Sequence, residues 1–113
     1  MRTDNLPIYR VTYELLKRIT QNTRNFPRDL KPTLGENLRQ ETVDIIVYVY
    51  RANFSKDRRK EYTHIILEKV QTVEMMLRLC VDMQLISKSK HGNLIEMTDQ
   101  IGKQAQGWAK SAK

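Results

Sequence analysis

The sequence has little of the chemistry on which most enzymes and secreted proteins depend. Its 113 residues include a single cysteine, Cys80, and two histidines. One cysteine excludes an intrachain disulfide and fits the reducing cytosol. The N-terminus lacks a signal-peptide core, and no apolar run approaches the roughly 18 residues that a membrane helix needs. We therefore expect one soluble cytoplasmic domain, residues 1–113, with no membrane partner.

Motifs that would indicate catalysis are also missing. The chain has no Gly-rich phosphate loop, no nucleophile elbow and no paired-carboxylate spacing that suggests an enzyme. Cys80 lies on a helical apolar stripe, where a buried thiol is the ordinary interpretation. A cysteine nucleophile would need a partner histidine in an open, electropositive site. We predict a non-catalytic protein with no catalytic residues and no cofactor.

One pair of residues raises the question of a metal. Glu61 and His64 form a Glu-x-x-His pair, which di-iron carboxylate bundles use as part of their ligand set. Such a site needs a second pair and two further carboxylates, but the only other histidine, His91, has Lys88 three residues before it. We predict no metal site and interpret Glu61 and His64 as a surface pair near a helix start.

Four amphipathic segments fill most of the chain. The first is predicted from about Pro7 to Thr23, the second from Thr33 to Phe54, the third up to about Leu85, and the fourth from Ser89 or later, after a polar connection that extends to Asn93. Short joints between helices make neighbours antiparallel. The sequence therefore predicts an all-α fold, an antiparallel up-down four-helix bundle.

Local signals mark the starts of two of these helices. Thr33 followed by Glu36 fits a capping box, in which the hydroxyl accepts from a free backbone N–H. Ser55 or Asp57 could cap the third helix. Its apolar stripe runs from Tyr62 to Gln84 at spacings of three and four, so we expect this helix to be the longest.

The second segment carries more apolar surface than one core can cover. Its main stripe comprises Leu34, Leu38, Thr42, Ile45, Val49 and Ala52. A second set, Val43, Ile46, Val47 and Tyr50, lies off that stripe. Either this is the central helix of a small bundle, or its second face packs against another copy of the chain. On the latter hypothesis, Val43, Val47 and Tyr50 form the oligomer interface.

The predicted fourth helix contains two glycines and the only tryptophan. Gly102 and Gly107 each weaken a helix by about 1 kcal/mol relative to alanine, so we expect glycine to have a specific role at these positions. Small residues would permit close helix approach. Trp108 ends the apolar stripe, which favours core closure, although an exposed Trp beside Lys110 could contact a partner or stack on a base.

Basic residues outnumber acidic ones by 20 to 13, a formal net charge of +7. In an antiparallel bundle they gather at both ends. The first end collects Arg24, Arg28, Lys31, Lys88 and Lys90. The second collects Arg51, Lys56, Arg58, Arg59 and Lys60, with Arg2, Lys110 and Lys113. Solvated helix ends are the ordinary explanation, but two such clusters also suit binding of nucleic-acid phosphates by counterion release.

Three stretches of the chain resemble the Avd proteins, the accessory variability determinants of diversity-generating retroelements. These stretches are IYRVTYELL (Ile8 to Leu16), FPRDLKPTLGENLRQETVDIIVYVYRAN (Phe26 to Asn53) and IGKQAQGWAKS (Ile101 to Ser111). The pairs Phe26-Pro27, Leu34-Gly35 and Gly107-Trp108 follow in the family's order. Proteins encoded within intervening sequences of bacterial ribosomal RNA genes share the fold and much of this pattern, and they are the alternative.

The resemblance implies a ring-like homopentamer of four-helix subunits in the cytoplasm of a bacterial cell, encoded by the cell or by a phage. It implies binding to the retroelement's reverse transcriptase and template RNA, with the cDNA a further candidate, in support of mutagenic retrohoming. The family's contact surface would fall on Arg24, Arg28, Lys31, Arg51, Arg58, Arg59 and Lys60. The alternative is an RNA-binding bundle with no polymerase partner.

Overall fold

In a computed structural model, which describes residues 2–112, the chain forms four α-helices and no strand within those residues. The helices are α1 (Pro7–Thr23), α2 (Glu36–Phe54), α3 (Arg59–Asp82) and α4 (Lys88–Ser111). A 3-10 turn, Thr3–Asn5, precedes α1, and a π-helical turn, Lys31–Gly35, precedes α2. Lys113, which the sequence groups with the second basic end, lies outside the described residues. The all-α prediction is confirmed.

Contacts between helices establish an antiparallel bundle. Along α2 and α3, Glu41 pairs with Lys69 at 3.3 Å, whereas the later Tyr48 ring meets the earlier Tyr62 ring at a centroid distance of 5.8 Å. Residue numbers thus rise along one helix as they fall along its neighbour. Helix α1 packs against α2 and α4, and α4 also packs against α3. The four helices therefore enclose one core, as the four-helix prediction expects.

Each helix buries one stripe of side chains against that core. These stripes are Ile8, Thr12, Leu15 and Ile19 in α1, Leu38, Thr42, Ile45, Val49 and Ala52 in α2, Tyr62, Ile66, Val70, Val73, Leu77 and Cys80 in α3, and Leu94, Thr98, Ile101 and Ala105 in α4. The Thr12 and Thr42 hydroxyls donate to carbonyls one turn earlier, at 2.7 and 2.9 Å. Their polar groups are thereby satisfied inside a largely apolar core.

The corner between α1 and α2 depends on a glycine. A Cβ atom built on Gly35 would lie 3.4 Å from both Phe26 Cδ2 and Thr23 Cβ, so a methyl group there would already be in van der Waals contact with both residues. The Gly35 N–H donates to the Leu30 carbonyl at 2.9 Å, five residues back, which is the hydrogen bond of a π turn. The tight fit of Gly35 therefore sets where α2 begins.

The predicted capping box at this corner is wrong. Thr33 lies inside the π-helical turn, and its hydroxyl donates to the Asp29 carbonyl at 3.0 Å instead of accepting from a free N–H. The Glu36 carboxylate pairs with Arg39. The local sequence pattern fits a cap, but a π turn already supplies the backbone partners that a cap would supply.

The start of α3 also differs from the prediction. Neither Ser55 nor Asp57 caps it, since Arg58 occupies the N-cap position and makes no side-chain cap hydrogen bond. Arg59 instead closes the end of α2, where Nε donates to the Ala52 carbonyl at 2.7 Å and Nη2 to the Asn53 carbonyl at 3.0 Å. One side chain therefore ties the end of α2 to the start of α3.

The joint between α3 and α4 is shorter than the sequence predicts. Gln84, predicted to extend the apolar stripe, is exposed and has a φ of 61°, because the chain reverses there. Ser87 Oγ accepts from the Lys90 N–H at 3.1 Å and caps α4, which begins at Lys88. The polar stretch through Asn93 is therefore helix and not connection.

The glycines of α4 have no packing role within the subunit. Over the described part of the chain, nothing lies within 4 Å of a Cβ built on Gly102 or Gly107, so the interpretation of close helix approach is wrong inside one subunit. Trp108 is half-buried against the core, and the Arg59 guanidinium lies 5.3 Å from its ring centre. The tryptophan thus helps to close the end of the bundle.

We expect Gly107→Ala to raise the free energy of unfolding by about 0.5–1 kcal/mol, because alanine restricts the unfolded chain and meets open space in the helix. Urea unfolding followed by circular dichroism measures this. Gly35→Leu is the matched control, and it should lower stability because its side chain would meet Phe26 and Thr23. A loss of stability in Gly107→Ala would contradict the open space seen around that residue.

Candidate nucleic-acid and partner interface

The bundle carries its predicted basic residues at two separate ends. It measures 44 × 22 × 21 Å, and both the α1–α2 and the α3–α4 joints lie at the same end of the long axis. We name this the first end, with Arg24, Arg28, Lys31, Lys88 and Lys90. The second end, at the α2–α3 joint, contains Arg51, Lys56, Arg58, Arg59 and Lys60. The two clusters are therefore separated by the helical body.

The cations of the first end have no acidic partners. Arg24, Arg28, Lys31, Lys88 and Lys90 are all exposed, and no carboxylate of residues 2–112 lies within 4.0 Å of their charged groups. Several other cations do have such partners, as in Arg18–Glu14 and Arg78–Asp82 along the helix bodies. The first end therefore keeps its positive charge available to an anionic ligand.

The second end combines arginine with tyrosine. The Arg51 guanidinium lies 4.9 Å from the centre of the Tyr48 ring, and that of Arg58 lies 4.8 Å from the Tyr62 ring. Such contacts hold the cations by cation–π attraction while they stay exposed. Arg58 also pairs with Glu61 at 2.7 Å, which raises the pKa of Arg58 and lowers the pKa of the Glu61 carboxyl. Arg58 is therefore partly neutralised.

The remaining predicted residues of the second end differ in exposure and in whether their charged groups already have hydrogen-bond or ion-pair partners. Lys56 and Lys60 are exposed and have no carboxylate partner among the described residues. Arg59 is half-buried and spends two donors on the carbonyls at the end of α2. Its predicted part in binding stays a prediction, while its observed part is to hold the joint together.

An exposed apolar surface runs along α1 and α2. On α2, Val47 is 37% and Tyr50 39% exposed, whereas Val49 on the opposite face is fully buried. Tyr13 and Phe54, which are exposed, extend this surface. We name the aromatic face by its members, Tyr13, Val43, Val47, Tyr50 and Phe54. The two faces predicted for α2 are thus one buried face and one partly exposed face, on which Val43 and Ile46 are half-buried.

The sequence analysis missed two features of the surface. Met75, Leu79 and Met83 are exposed at intervals of four residues near the end of α3. Arg39 lines a cavity with Arg24 and Lys31 at the first end. The spacing of four in α3 could have indicated an outward apolar line, but the position of Arg39 depends on the packing of α2 against α1.

The side chains considered for catalysis or metal binding are Cys80, Glu61 and His64. Cys80 is buried in the core, and this burial raises the pKa of its thiol to about 11. His64 is exposed, and Glu61 is held by Arg58. Among residues 2–112 no three His, Cys, Asp or Glu side chains are grouped so as to hold a metal. Over the same residues, no helix has both the length and the apolarity to cross a membrane.

Comparison with known proteins gives one finding about family. The sequence model of a family described as bAvd-like matches residues 7–112, which include all four helices and every basic residue named above for the two ends except Arg2 and Lys113. None of the curated proteins compared with the chain matches it. The match therefore concerns the bundle as a whole and not one motif.

Proposed function

The chain belongs to the bAvd-like family, and on that basis we propose that it is the accessory protein of a diversity-generating retroelement. In this role it has no catalytic part of its own. It binds the element's reverse transcriptase and template RNA and supports the mutagenic reverse transcription that diversifies a target gene. Family membership supports the accessory role, and the surface of the bundle supports the binding.

The observation that carries the binding proposal is the set of cations without acidic partners at both ends. Within the described residues this set includes Arg24, Arg28, Lys31, Arg51, Lys56, Lys60, Lys88, Lys90 and Lys110. A cation already paired with a carboxylate gains little by exchanging it for a phosphate. An unpaired cation instead releases counterions from the nucleic acid, which favours binding at low salt.

We also propose that the chain forms a ring-like homopentamer, as the family resemblance implies. The aromatic face supports an interface between the subunits of such a ring. Val47, Tyr50 and Phe54 expose apolar area that water hydrates unfavourably, at roughly 25 cal/mol per Å². Contact with a neighbouring subunit would cover this area. A closed ring would also repeat both basic ends around one axis, so that several weak contacts act together on one RNA or on an acidic patch of the polymerase.

We expect the chain to bind RNA with an affinity that falls steeply as salt rises. Removing two unpaired cations with Arg28→Gln and Lys88→Gln should reduce the slope of log affinity against log salt by about two. The matched control, Lys17→Gln with Arg78→Gln, removes the same charge from paired residues and should change the slope little. Fluorescence anisotropy measures both. A flat salt response, or no binding at low salt, would contradict the proposal.

We expect Val47→Glu to dissociate the oligomer and leave helical content largely intact. Val47 is 37% exposed, so a carboxylate there stays hydrated in the separate subunit but not in an interface. Val49→Glu is the matched control, one helical face away, and it should unfold the subunit because a buried unpaired charge costs several kcal/mol. Sedimentation velocity and circular dichroism distinguish the outcomes. The same result for both variants would mean that the two faces are assigned incorrectly.

A further inference from the structure

A small cavity lies at the first end, between the last turn of α1 and the first turn of α2. Its volume is about 150 Å³, which is ample for one phosphate group. Seven residues line it: Thr20, Thr23, Arg24, Lys31, Gly35, Glu36 and Arg39. Three cations therefore surround one small space together with a single carboxylate.

The fold brings these cations together from three separate places in the sequence. Arg24 directly follows α1, Lys31 opens the π-helical turn, and Arg39 lies in the first full turn of α2. The close fit of Gly35 against Phe26 holds the start of α2 beside the end of α1. The cavity thus exists before any ligand arrives, which reduces the ordering that binding would require.

The two threonine hydroxyls and the Gly35 N–H that line the cavity already donate hydrogen bonds within the protein. The Thr20 hydroxyl donates to the Leu16 carbonyl at 2.8 Å, and the Thr23 hydroxyl donates to the Thr20 carbonyl at 3.3 Å. The Gly35 N–H is bonded within the π turn. A ligand in the cavity must therefore accept hydrogen bonds from arginine and lysine. Because three cations and one carboxylate leave the lining net positive, an anion is favoured over a neutral acceptor.

The cations themselves have unused capacity. Arg24 and Lys31 have no carboxylate partner in the described part of the chain. Arg39 donates Nη1 to Glu36, but its Nε is enclosed and has no hydrogen-bond partner among the described residues. An enclosed donor without an acceptor is unfavourable, so Arg39 keeps one unused donor beside its pair with Glu36.

We propose that this cavity is a phosphate subsite in which Arg24, Lys31 and Arg39 bind one phosphate group of an RNA strand. The inference rests on the proposed function, because it takes the RNA as the source of the phosphate. The Glu36 carboxylate repels an anion, but the three cations outnumber it, so the cavity keeps a net positive charge that attracts the oxygens of a phosphate group. A bound phosphate here would fix the register of the strand on the first end without reading its sequence.

The first test uses inorganic phosphate and the intact, isotope-labelled chain. We expect saturable changes in the backbone amide resonances of Gly35 and Arg39 as phosphate is added. The double variant Lys31→Gln/Arg39→Gln should lose these changes. Lys103→Gln removes a cation of α4 that is exposed and has no carboxylate partner, and it should keep them. Thermal melting confirms that each variant is folded.

The second test uses RNA oligonucleotides with and without a 5′-phosphate. At fixed salt, we expect Lys31→Gln/Arg39→Gln to weaken RNA binding roughly tenfold more than Lys103→Gln, since charge-assisted contacts are lost. If the variant weakens binding of both oligonucleotides equally, the site binds an internal phosphate of the strand. Loss confined to the 5′-phosphorylated strand assigns the terminal one. Either result supports the subsite.

Failure of the subsite and failure of the proposed function give different results. RNA binding that the pocket variant and Lys103→Gln weaken equally, with no resonance changes at Gly35, would overturn the subsite and leave the proposed function standing. Resonance changes with inorganic phosphate but no RNA binding would overturn the assignment to RNA, together with the RNA part of the proposed function, and would indicate a free phosphate compound as the ligand.

Discussion

The constraint on which the structure depends is the apolar surface of α2, which is too large for one core to cover. Its buried face, with Ile45 and Val49, belongs to the core of a bundle that the short joints make antiparallel. Its other face, with Val47 and Tyr50, stays accessible. The antiparallel arrangement places the α1–α2 and α3–α4 joints at the same end of the bundle, and most cations of the first end lie in these joints. Packing within the subunit thus determines both surfaces on which the proposed function relies.

Much of this could be predicted because helical periodicity is a local property. The bounds of α1 and the division of α2 into two faces follow from apolar residues three and four apart. The mistakes arose where tertiary contacts override local patterns. Gly35 packs against Phe26 and forms a π turn, so Thr33 is not a cap. Ser87 caps α4, which begins at Lys88, but the polar residues that follow have the composition of a loop, so the pattern predicted a connection there.

The candidate site was predictable in composition but not in the state of each charge. Sequence can count cations at a joint, but it cannot tell which of them are already engaged. Arg59 holds the end of α2 and Arg58 is paired with Glu61, whereas Arg24 and Lys31 stay unpaired within the described residues. Arg39 enters the site only because α2 packs beside the end of α1. These distinctions require distances between helices, which no local pattern contains.

The role we propose for this bundle is that of an accessory platform for a reverse transcriptase. The most direct measurement is co-purification of a tagged chain with the reverse transcriptase of its retroelement, with ribonuclease treatment to separate direct contact from contact through RNA. We expect the polymerase to be retained on the tagged chain, more weakly at high salt. A polymerase that flows through at low salt, while the chain is folded and binds RNA, would contradict it.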